Sequence, residues 1–172
     1  MTRKAGFDPV VDAKTRLLIL GSLPGDASLR AAQYYGHPRN AFWRLIGGVI
    51  DQDLAGLPYD DRLARLRAAG IGLWDVIASA ERPGSLDAAI RRPEAADLRG
   101  LVESLPALRA VAFNGGTAAR LGRAVLAAPP AGVTLIDLPS SSPAHARPFD
   151  QKAEAWAALA GALDQRRTGQ AG

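Results

Sequence analysis

At 172 residues the chain is long enough for one domain with a sizeable core, and 48% of its residues are hydrophobic. It has no cysteine, which excludes disulfides, iron–sulfur clusters and thiolate zinc sites, and its net charge of +4 suits a polyanionic partner without requiring one. No apolar run approaches the ~18 residues of a membrane span, and residues 1–10 lack the apolar core of a secretion signal, so we expect a cytoplasmic protein with no membrane partner.

Short apolar runs alternate along the chain with segments of helical periodicity. The predicted strands are residues 15–21, 72–77, 109–113 and 133–138. The predicted helices are residues 40–50, 60–69, 86–90 with 95–105, 117–126 and 149–163. This alternation predicts an α/β fold of three α/β/α layers around a central, mostly parallel four-stranded sheet. We expect a single domain over residues 1–172, ordered from about residue 8 to residue 165, with a flexible tail at residues 166–172.

The loops that follow three of the predicted strands are the candidate site. In sheets of this kind, ligands bind beyond the carboxyl ends of the strands. The loops at those ends are Ser22–Asn40, Asn114–Gly116 and Pro139–Pro148. Because the topology brings them to one edge of the sheet, we expect the functional residues to lie there.

The first loop opens with the sequence GSLPG at residues 21–25. A glycine-proline turn of this type leaves backbone amides open to a ligand, either a phosphate or the edge of a planar base. The segment is neither a Walker loop nor a GxGxxG motif. By itself it fits an ordinary turn after a strand equally well.

Two longer motifs carry a family resemblance. The first, GSLPGDASL followed by YYGHPRNAFW, spans residues 21–43, and the second, LPSSSPA, spans residues 138–144. Together they resemble the uracil-DNA glycosylase superfamily, most nearly its hypoxanthine-DNA (deoxyinosine) glycosylase branch, and the resemblance extends from Leu17 to about Trp156.

The resemblance implies a monofunctional DNA-repair glycosylase. Such an enzyme hydrolyses the N-glycosidic bond of deaminated bases in DNA, here hypoxanthine and also uracil or xanthine, with water as the nucleophile. It implies no cofactor and no metal, and the only histidines, His37 and His145, have no tight acidic cluster around them. The implied partner is DNA containing deaminated bases, and the implied state is a monomer.

Asn40 is the predicted catalytic residue. Mismatch-specific relatives carry the water-positioning asparagine in the first motif, where this chain has Leu23. In the hypoxanthine branch the role belongs to an asparagine that matches Asn40, whose amide can accept from water and donate toward the sugar. Asn40 also precedes a predicted helix, so capping that helix is the alternative role.

The predicted base contacts combine an aromatic ring with an amide. Phe42 matches the ring that stacks on the flipped base, and Asn114 matches the amide that reads the base edge through paired hydrogen bonds. A core position for Phe42 and a plain Asn-Gly turn at Asn114 are the alternatives. The full predicted set is Ser22, Leu23, Pro24, Tyr35, Phe42 and Asn114.

The second motif resembles the loop that holds DNA phosphates. Hydroxyls and free backbone amides suit that task, although a proline-flanked turn and a surface histidine are the alternatives. The predicted phosphate contacts are Gly25, Ser140, Ser141, Ser142 and His145, with Arg39, Arg82 and Arg147 as further candidates. Asp75, on a short strand, is an alternative acid that could approach the site, although we favour its interpretation as a capping group or the partner of an arginine.

Two other functions remain open at this point. One is a uracil-preferring glycosylase of the same superfamily. The other is a catalytically inactive α/β module that binds DNA or a nucleotide, which Leu23 would explain. No lysine lies in a candidate loop to form a Schiff base with the sugar, so strand-cleaving lyase activity is not expected.

Overall fold

The computed structural model describes residues 3–164, so the tail predicted at residues 166–172 lies outside the described residues. The strands are β1 Arg3–Ala5, β2 Leu17–Gly21, β3 Ile71–Asp75, β4 Ile77–Glu81, β5 Arg91–Ala95, β6 Ala110–Asn114 and β7 Thr134–Leu138. The helices are α1 Asp26–Ala31, α2 Phe42–Ile50, α3 Tyr59–Ala68, α4 Leu98–Ser104, α5 Gly116–Val125, α6 Phe149–Trp156 and α7 Ala160–Leu163, with 3-10 turns at Asp87–Ala89 and Ala157–Leu159. Within this part of the chain no helix is long and apolar enough to cross a membrane.

A four-stranded parallel sheet in the order β3-β2-β6-β7 forms the centre of the fold. Each of these strands lies on one of the short apolar runs in the sequence, and all five residues of β2 are buried. Burial on both faces is the normal condition of a parallel sheet, which explains the absence of polar residues within β2. The predicted four-stranded α/β fold is confirmed.

Two hydrophobic clusters lie on opposite faces of the sheet. Alternate residues of β2 serve different clusters: Leu17 and Ile19 pack with helices α2 and α6, whereas Leu18 and Leu20 pack with α4 and α5. This period of two follows from the pleat of a strand. The helices therefore cover both faces, as the three-layer prediction requires.

A second, antiparallel sheet in the order β1-β4-β5 was not predicted. The chain leaves the main sheet after β3 and enters β4, with only Val76 between the two strands. The helix predicted at residues 86–90 is a single 3-10 turn, and Ala95, predicted to begin a helix, ends strand β5. Antiparallel pairing of β5 with β4 accounts for this difference, and Pro93 is tolerated there because β5 is an edge strand.

Candidate active site

A cleft of about 590 Å³ lies at the carboxyl edge of the parallel sheet. Its volume falls within the range typical of small-molecule sites, roughly 300–1,000 Å³. Residues of all three predicted loops line it, together with Asp75 and the segment 85–87. The sheet topology thus brings distant sequence motifs into one cleft. Among the residues that the structure describes, no three acidic or histidine side chains gather closely enough to hold a metal ion.

The buried guanidinium of Arg82 fixes the shape of the first loop. It donates to the carbonyl of Leu23 at 3.4 Å, to the carbonyl of Gly84 at 3.2 Å and to the carbonyl of Pro24. Only 2% of Arg82 is exposed, and burial lowers its pKa without removing its charge. The expectation that Arg82 contacts phosphate is therefore wrong, because its donors are directed at the loop from inside the protein.

Two further contacts hold this loop to the segment after β4. The hydroxyl of Ser22 donates to Asp87 at 2.6 Å, and the backbone amide of Asp26 donates to the hydroxyl of Ser85 at 2.8 Å. A side chain at Gly25 would meet that same hydroxyl at 3.2 Å. Leu23 lines the cleft while packing into the core, with 6% of its surface exposed. The loop therefore presents its backbone and the Ser22 side chain to the cleft.

Asn40 lines the cleft with a fixed orientation. Its side-chain oxygen accepts a hydrogen bond at 2.9 Å from the backbone amide of Phe42, the first residue of helix α2, so Asn40 caps that helix from the position before the N-cap residue Ala41. The residue is half-buried, so the amide remains accessible to a ligand. Capping and ligand binding are compatible here, because one bond to the oxygen leaves its second lone pair and the amide nitrogen in place.

Phe42 occupies a different position from the one predicted. Its ring is fully buried and is enclosed by three aromatic neighbours, Tyr35, Trp43 and Trp156. The Tyr35 ring stacks on it with centroids 3.9 Å apart and planes inclined by 19°. Tyr35, and not Phe42, therefore presents an aromatic surface to the cleft, and the prediction that Phe42 contacts the base directly needs this correction.

Asn114 and Ser141 form a closed pair. The Asn114 amide nitrogen donates to the Ser141 hydroxyl at 2.9 Å, and its oxygen accepts from the Ser141 backbone amide at 2.8 Å. Ser141 also accepts from the backbone amide of Ala41 at 3.0 Å through its carbonyl. With 1% of its surface exposed, Ser141 holds the second motif against β6 and α2, and its phosphate contact stays a prediction.

Gly115 permits this arrangement. Its φ of +100° is a conformation that side-chain-bearing residues rarely adopt, and an added Cβ would lie 3.0 Å from the Cβ of Ser140. The Asn-Gly turn expected as an alternative is therefore present, and it brings the Asn114 side chain under the second motif.

The remaining residues of the second motif are more open. The Ser140 hydroxyl accepts from the backbone amide of Ser142 at 3.1 Å, and the Ser142 hydroxyl accepts from that of Ala144 at 3.2 Å. His145 is exposed, and its pKa lies below the usual value because of partial desolvation and the nearby cations Lys152 and Arg147. Its imidazole is therefore biased toward the neutral form.

Asp75, an alternative acid in the sequence analysis, lies in the cleft. It ends β3 directly beside Gly21, it lines the cleft and only 5% of its surface is exposed. Burial, together with the negative charge of Asp87, raises the pKa of Asp75 to about 7 although Arg82 opposes the shift. Its Oδ2 has no hydrogen-bond partner among residues 3–164, where Arg82 pairs with Asp87, so neither capping nor an arginine pair engages this oxygen. The available signal was an acid directly after a buried strand.

Comparison with known proteins agrees with this geometry. The sequence profile of the uracil DNA glycosylase superfamily matches residues 9–160. A curated relative from Methanosarcina barkeri named hypoxanthine DNA glycosylase is 42% identical over 155 residues, which cover 90% of this chain and 96% of the relative. A protein of the same name from Methanosarcina acetivorans is 42% identical over 156 residues, which cover 91% and 97%.

A solved structure extends the comparison to the fold. The solution NMR structure of a Methanosarcina acetivorans protein assigned as a uracil DNA glycosylase matches with a TM-score of 0.83 and 41% identity, covering 94% of this chain and 99% of the other. The fold and the cleft thus define an enzyme of the DNA glycosylase class, a hydrolase of N-glycosyl bonds whose substrate is DNA. More particularly, the chain belongs to the uracil DNA glycosylase superfamily. The resemblance based on the two motifs is confirmed.

Proposed function

We propose that this enzyme releases hypoxanthine from deoxyinosine in DNA by hydrolysis, with uracil and xanthine as further substrates. Two relatives that match nearly its whole length are named hypoxanthine DNA glycosylase. The observation that carries the mechanism is the oriented amide of Asn40 in the cleft. We expect the enzyme to act as a monomer in the cytoplasm.

The reaction requires charge stabilisation on both sides of the breaking bond. Positive charge develops on the sugar and negative charge on the departing base, so the site must position a water and stabilise the base anion. In our proposal Asn40 holds that water, its capping bond to Phe42 keeping the amide in one orientation. Asn40 thus has two roles in our proposal, the bond to the Phe42 amide and the positioning of the water. Because Asn40 positions the water, Leu23 in the first motif is not required to do so.

The base must first leave the helical stack, which costs a few kcal/mol. We propose that the flipped base enters between the loop at Ser22–Gly25 and Tyr35, whose ring is supported from behind by Phe42. Stacking of a base on an aromatic ring contributes about 1–3 kcal/mol. Tyr35 thus takes the role that the sequence assigned to Phe42.

The proposed phosphate contacts lie at the rim of the cleft. The hydroxyl oxygens of Ser140 and Ser142 accept from the backbone, so their own O–H groups can donate to a phosphate. Gly25 and His145 also line the cleft, and the exposed Arg39 borders it. A neutral His145 would contact phosphate as a hydrogen-bond donor and not as a cation.

Water is the proposed nucleophile because no lysine lines the cleft among the described residues. Lys152 is buried, and its ammonium group donates to the carbonyl of Ser142 at 3.1 Å. Without a Schiff base to the sugar, the product is an intact strand with an abasic site.

Three duplexes containing inosine, uracil or xanthosine test the substrate preference. After incubation under single-turnover conditions, alkali converts abasic sites into strand breaks, and the three rates are compared. We expect inosine to react fastest. Faster reaction of uracil would favour the uracil-preferring alternative, and no product from any duplex would favour an inactive DNA-binding protein, the alternative that Leu23 suggests.

Replacing Asn40 tests the mechanism. Asn40→Ala should lower the rate on inosine at least 100-fold while DNA binding is retained, since an oriented catalytic hydrogen-bonding group contributes about 10²–10³ in rate. Asn40→Ser is the matched control for the capping role, because serine can still accept from the Phe42 amide. It should restore the melting temperature but not the rate. Recovery of the rate in Asn40→Ser would assign Asn40 to capping alone.

A further inference from the structure

Two buried polar atoms in the cleft make no hydrogen bond of good geometry, although the Asn114 side chain lies near enough to the Tyr35 hydroxyl to act on its pKa in the lowering direction. Among residues 3–164 four buried side-chain polar atoms are unpartnered, and two of them, Asp75 Oδ2 and Tyr35 Oη, belong to residues that line the cleft. Natural structures hydrogen-bond most of their buried polar groups, so such atoms need an explanation. Two in one cleft indicate that the ligand supplies the missing partners.

Gly21 makes room for both groups. It pairs with Asp75 in the register of β2 and β3, and an added Cβ would lie 2.7 Å from Asp75 Oδ1 and 3.0 Å from Tyr35 Oη. The carboxyl and the hydroxyl therefore approach the backbone from the same side at the carboxyl end of the central strand. This is the place where a ligand reaches the sheet.

The amide expected to read the base is partly engaged with the protein, and one donor hydrogen and one oxygen lone pair of Asn114 remain for a ligand. Asn114 gives one donor and one acceptor to Ser141, and both partners are buried. A second group with one donor and one acceptor in the same cleft could pair with a base edge that presents a carbonyl beside an N–H. A protonated carboxyl has that pairing, whereas an ionised carboxylate only accepts.

We propose that Asp75 is a specificity-determining residue that contacts the flipped base. Its protonated carboxyl donates to the carbonyl of the lactam edge that hypoxanthine, uracil and xanthine share, and it accepts from the adjacent ring N–H. The same donor stays on the carbonyl oxygen as negative charge develops there during base departure. This inference rests on the proposed function.

The surroundings of Asp75 favour the protonated form. Burial is the main cause of its raised pKa, and the negative charge of Asp87 adds to it, whereas Arg82 acts in the opposite direction. The hydroxyls of Tyr34 and Tyr35 face the same region, and burial raises both of their pKa values, so they stay neutral. His37 and His145 also line the cleft, so a pH profile can be assigned only by comparing variants.

Single-turnover rates on the inosine duplex between pH 5.5 and pH 9 test the proposal. The wild-type rate should fall as pH rises through about 7, because ionisation removes the donor and places a charge against the departing base anion. Asp75→Asn keeps one donor and one acceptor without titrating, so its rate should lose this descent while staying within about tenfold of wild type at low pH. Asp75→Ala should be at least about tenfold slower at low pH.

The control is Asp137→Asn, which removes an exposed carboxylate paired with Arg123 outside the cleft and should leave the wild-type profile. An unchanged descent in Asp75→Asn would overturn the proposal, and so would a wild-type rate and profile in Asp75→Ala. If Asp75→Ala does not fold, the Asp75→Asn profile decides alone. No reaction of the wild-type enzyme with inosine would instead contradict the proposed function, so the two failures are distinct.

Discussion

Two polar residues flank the carboxyl end of the central strand, and they differ in how their side chains are satisfied. Asn114, at the end of β6, shares two hydrogen bonds with Ser141. Asp75, at the end of β3 beside Gly21, has a buried oxygen without a partner among the described residues. The two residues have similar positions in the fold, but only Asp75 has a buried oxygen that makes no bond to the described protein.

The contrast separates two parts of the site. Asn114 and Ser141 hold its elements together and form its frame, whereas Asp75 and Tyr35 form the contact surface that faces a ligand. Asn114 joins β6 to the second motif and, through the Ser141 carbonyl, to the start of helix α2 beside Asn40. Asp75 Oδ2 makes no comparable hydrogen bond to another element among the described residues. A binding site needs rigidly held elements and, close to them, polar groups that are free to bind a ligand. The end of β6 supplies the rigid support through Asn114, and the end of β3 supplies a free polar group through Asp75.

Removal of the frame should have the largest effect on stability. Asn114→Ala leaves the buried amide and hydroxyl of Ser141 without partners, so we expect the free energy of unfolding to fall by about 3–4 kcal/mol. Urea denaturation measures this loss. Ser141→Ala is the matched control, since it removes the hydroxyl but keeps the backbone bond, and about half the loss is expected there. A loss below about 1 kcal/mol in Asn114→Ala would show that the pair is not a structural support.

Asp75 should instead make stability depend on pH. Because its folded-state pKa is about 7, against an ordinary value of about 3.9, the folded protein holds a proton that the unfolded chain loses between these values. The stability due to protonated Asp75 is therefore present at low pH and lost as pH rises through about 7. Asp75→Asn should gain about 2–3 kcal/mol relative to wild type between pH 5 and pH 8.

Urea denaturation of wild type and Asp75→Asn at the two pH values measures that gain. Other titrating groups, including His37 and His145, are common to both proteins, so the difference between the proteins isolates Asp75. An equal difference at both pH values would mean that Asp75 is already ionised in the folded state, and the comparison with Asn114 would lose its basis.

A methyl group at residue 21 should disturb the contact surface by a smaller amount. Gly21→Ala places a Cβ within 3.0 Å of both the Asp75 carboxyl and the Tyr35 hydroxyl. We expect a loss of about 1–2 kcal/mol from this overpacking. In the Asp75→Ala background the same change should cost less, which a double-mutant cycle on unfolding free energies measures. Additive effects would contradict the close approach of these groups.

The smallest effect is expected at the rim. Ser142→Ala should change the unfolding free energy by less than about 0.5 kcal/mol, since the residue is only half-buried. It should slow reaction on DNA about threefold by removing one phosphate donor, an effect that should shrink at high salt where phosphate contacts weaken. Equal slowing at all salt concentrations would place Ser142 outside the phosphate contacts.

Much of the fold could be predicted from the sequence because local and tertiary preferences agree. The uninterrupted apolar run from Leu17 to Leu20 predicts a buried strand, as observed. The Asn-Gly pair at residues 114–115 likewise predicts the end of a strand, which lies at Asn114. The sheet β1-β4-β5 could not be predicted, since β5 is fully exposed and lacks apolar alternation. Its strands are determined by pairing with β4.

The site could be predicted only as a set of loops. The family resemblance implies Asn40, Tyr35 and the second motif as candidates, and the structure brings them into one cleft. Burial in the fold decides the rest: Ser141 and Ser142 are the same residue type but differ in exposure, and the Phe42 ring is fully buried whereas Tyr35 lines the cleft. The roles of Arg82 and Asp75 could not be predicted from the sequence either, because they depend on the burial of these two side chains in the folded protein.

The central claim is that a water-dependent glycosylase acts on deoxyinosine in DNA, and product analysis tests it most directly. A duplex with one inosine is incubated with the enzyme, and free base and strand length are measured before and after alkali. The account predicts free hypoxanthine and a full-length strand that breaks only after alkali. Strand breakage before alkali, or an unmodified duplex with no free base, would contradict it.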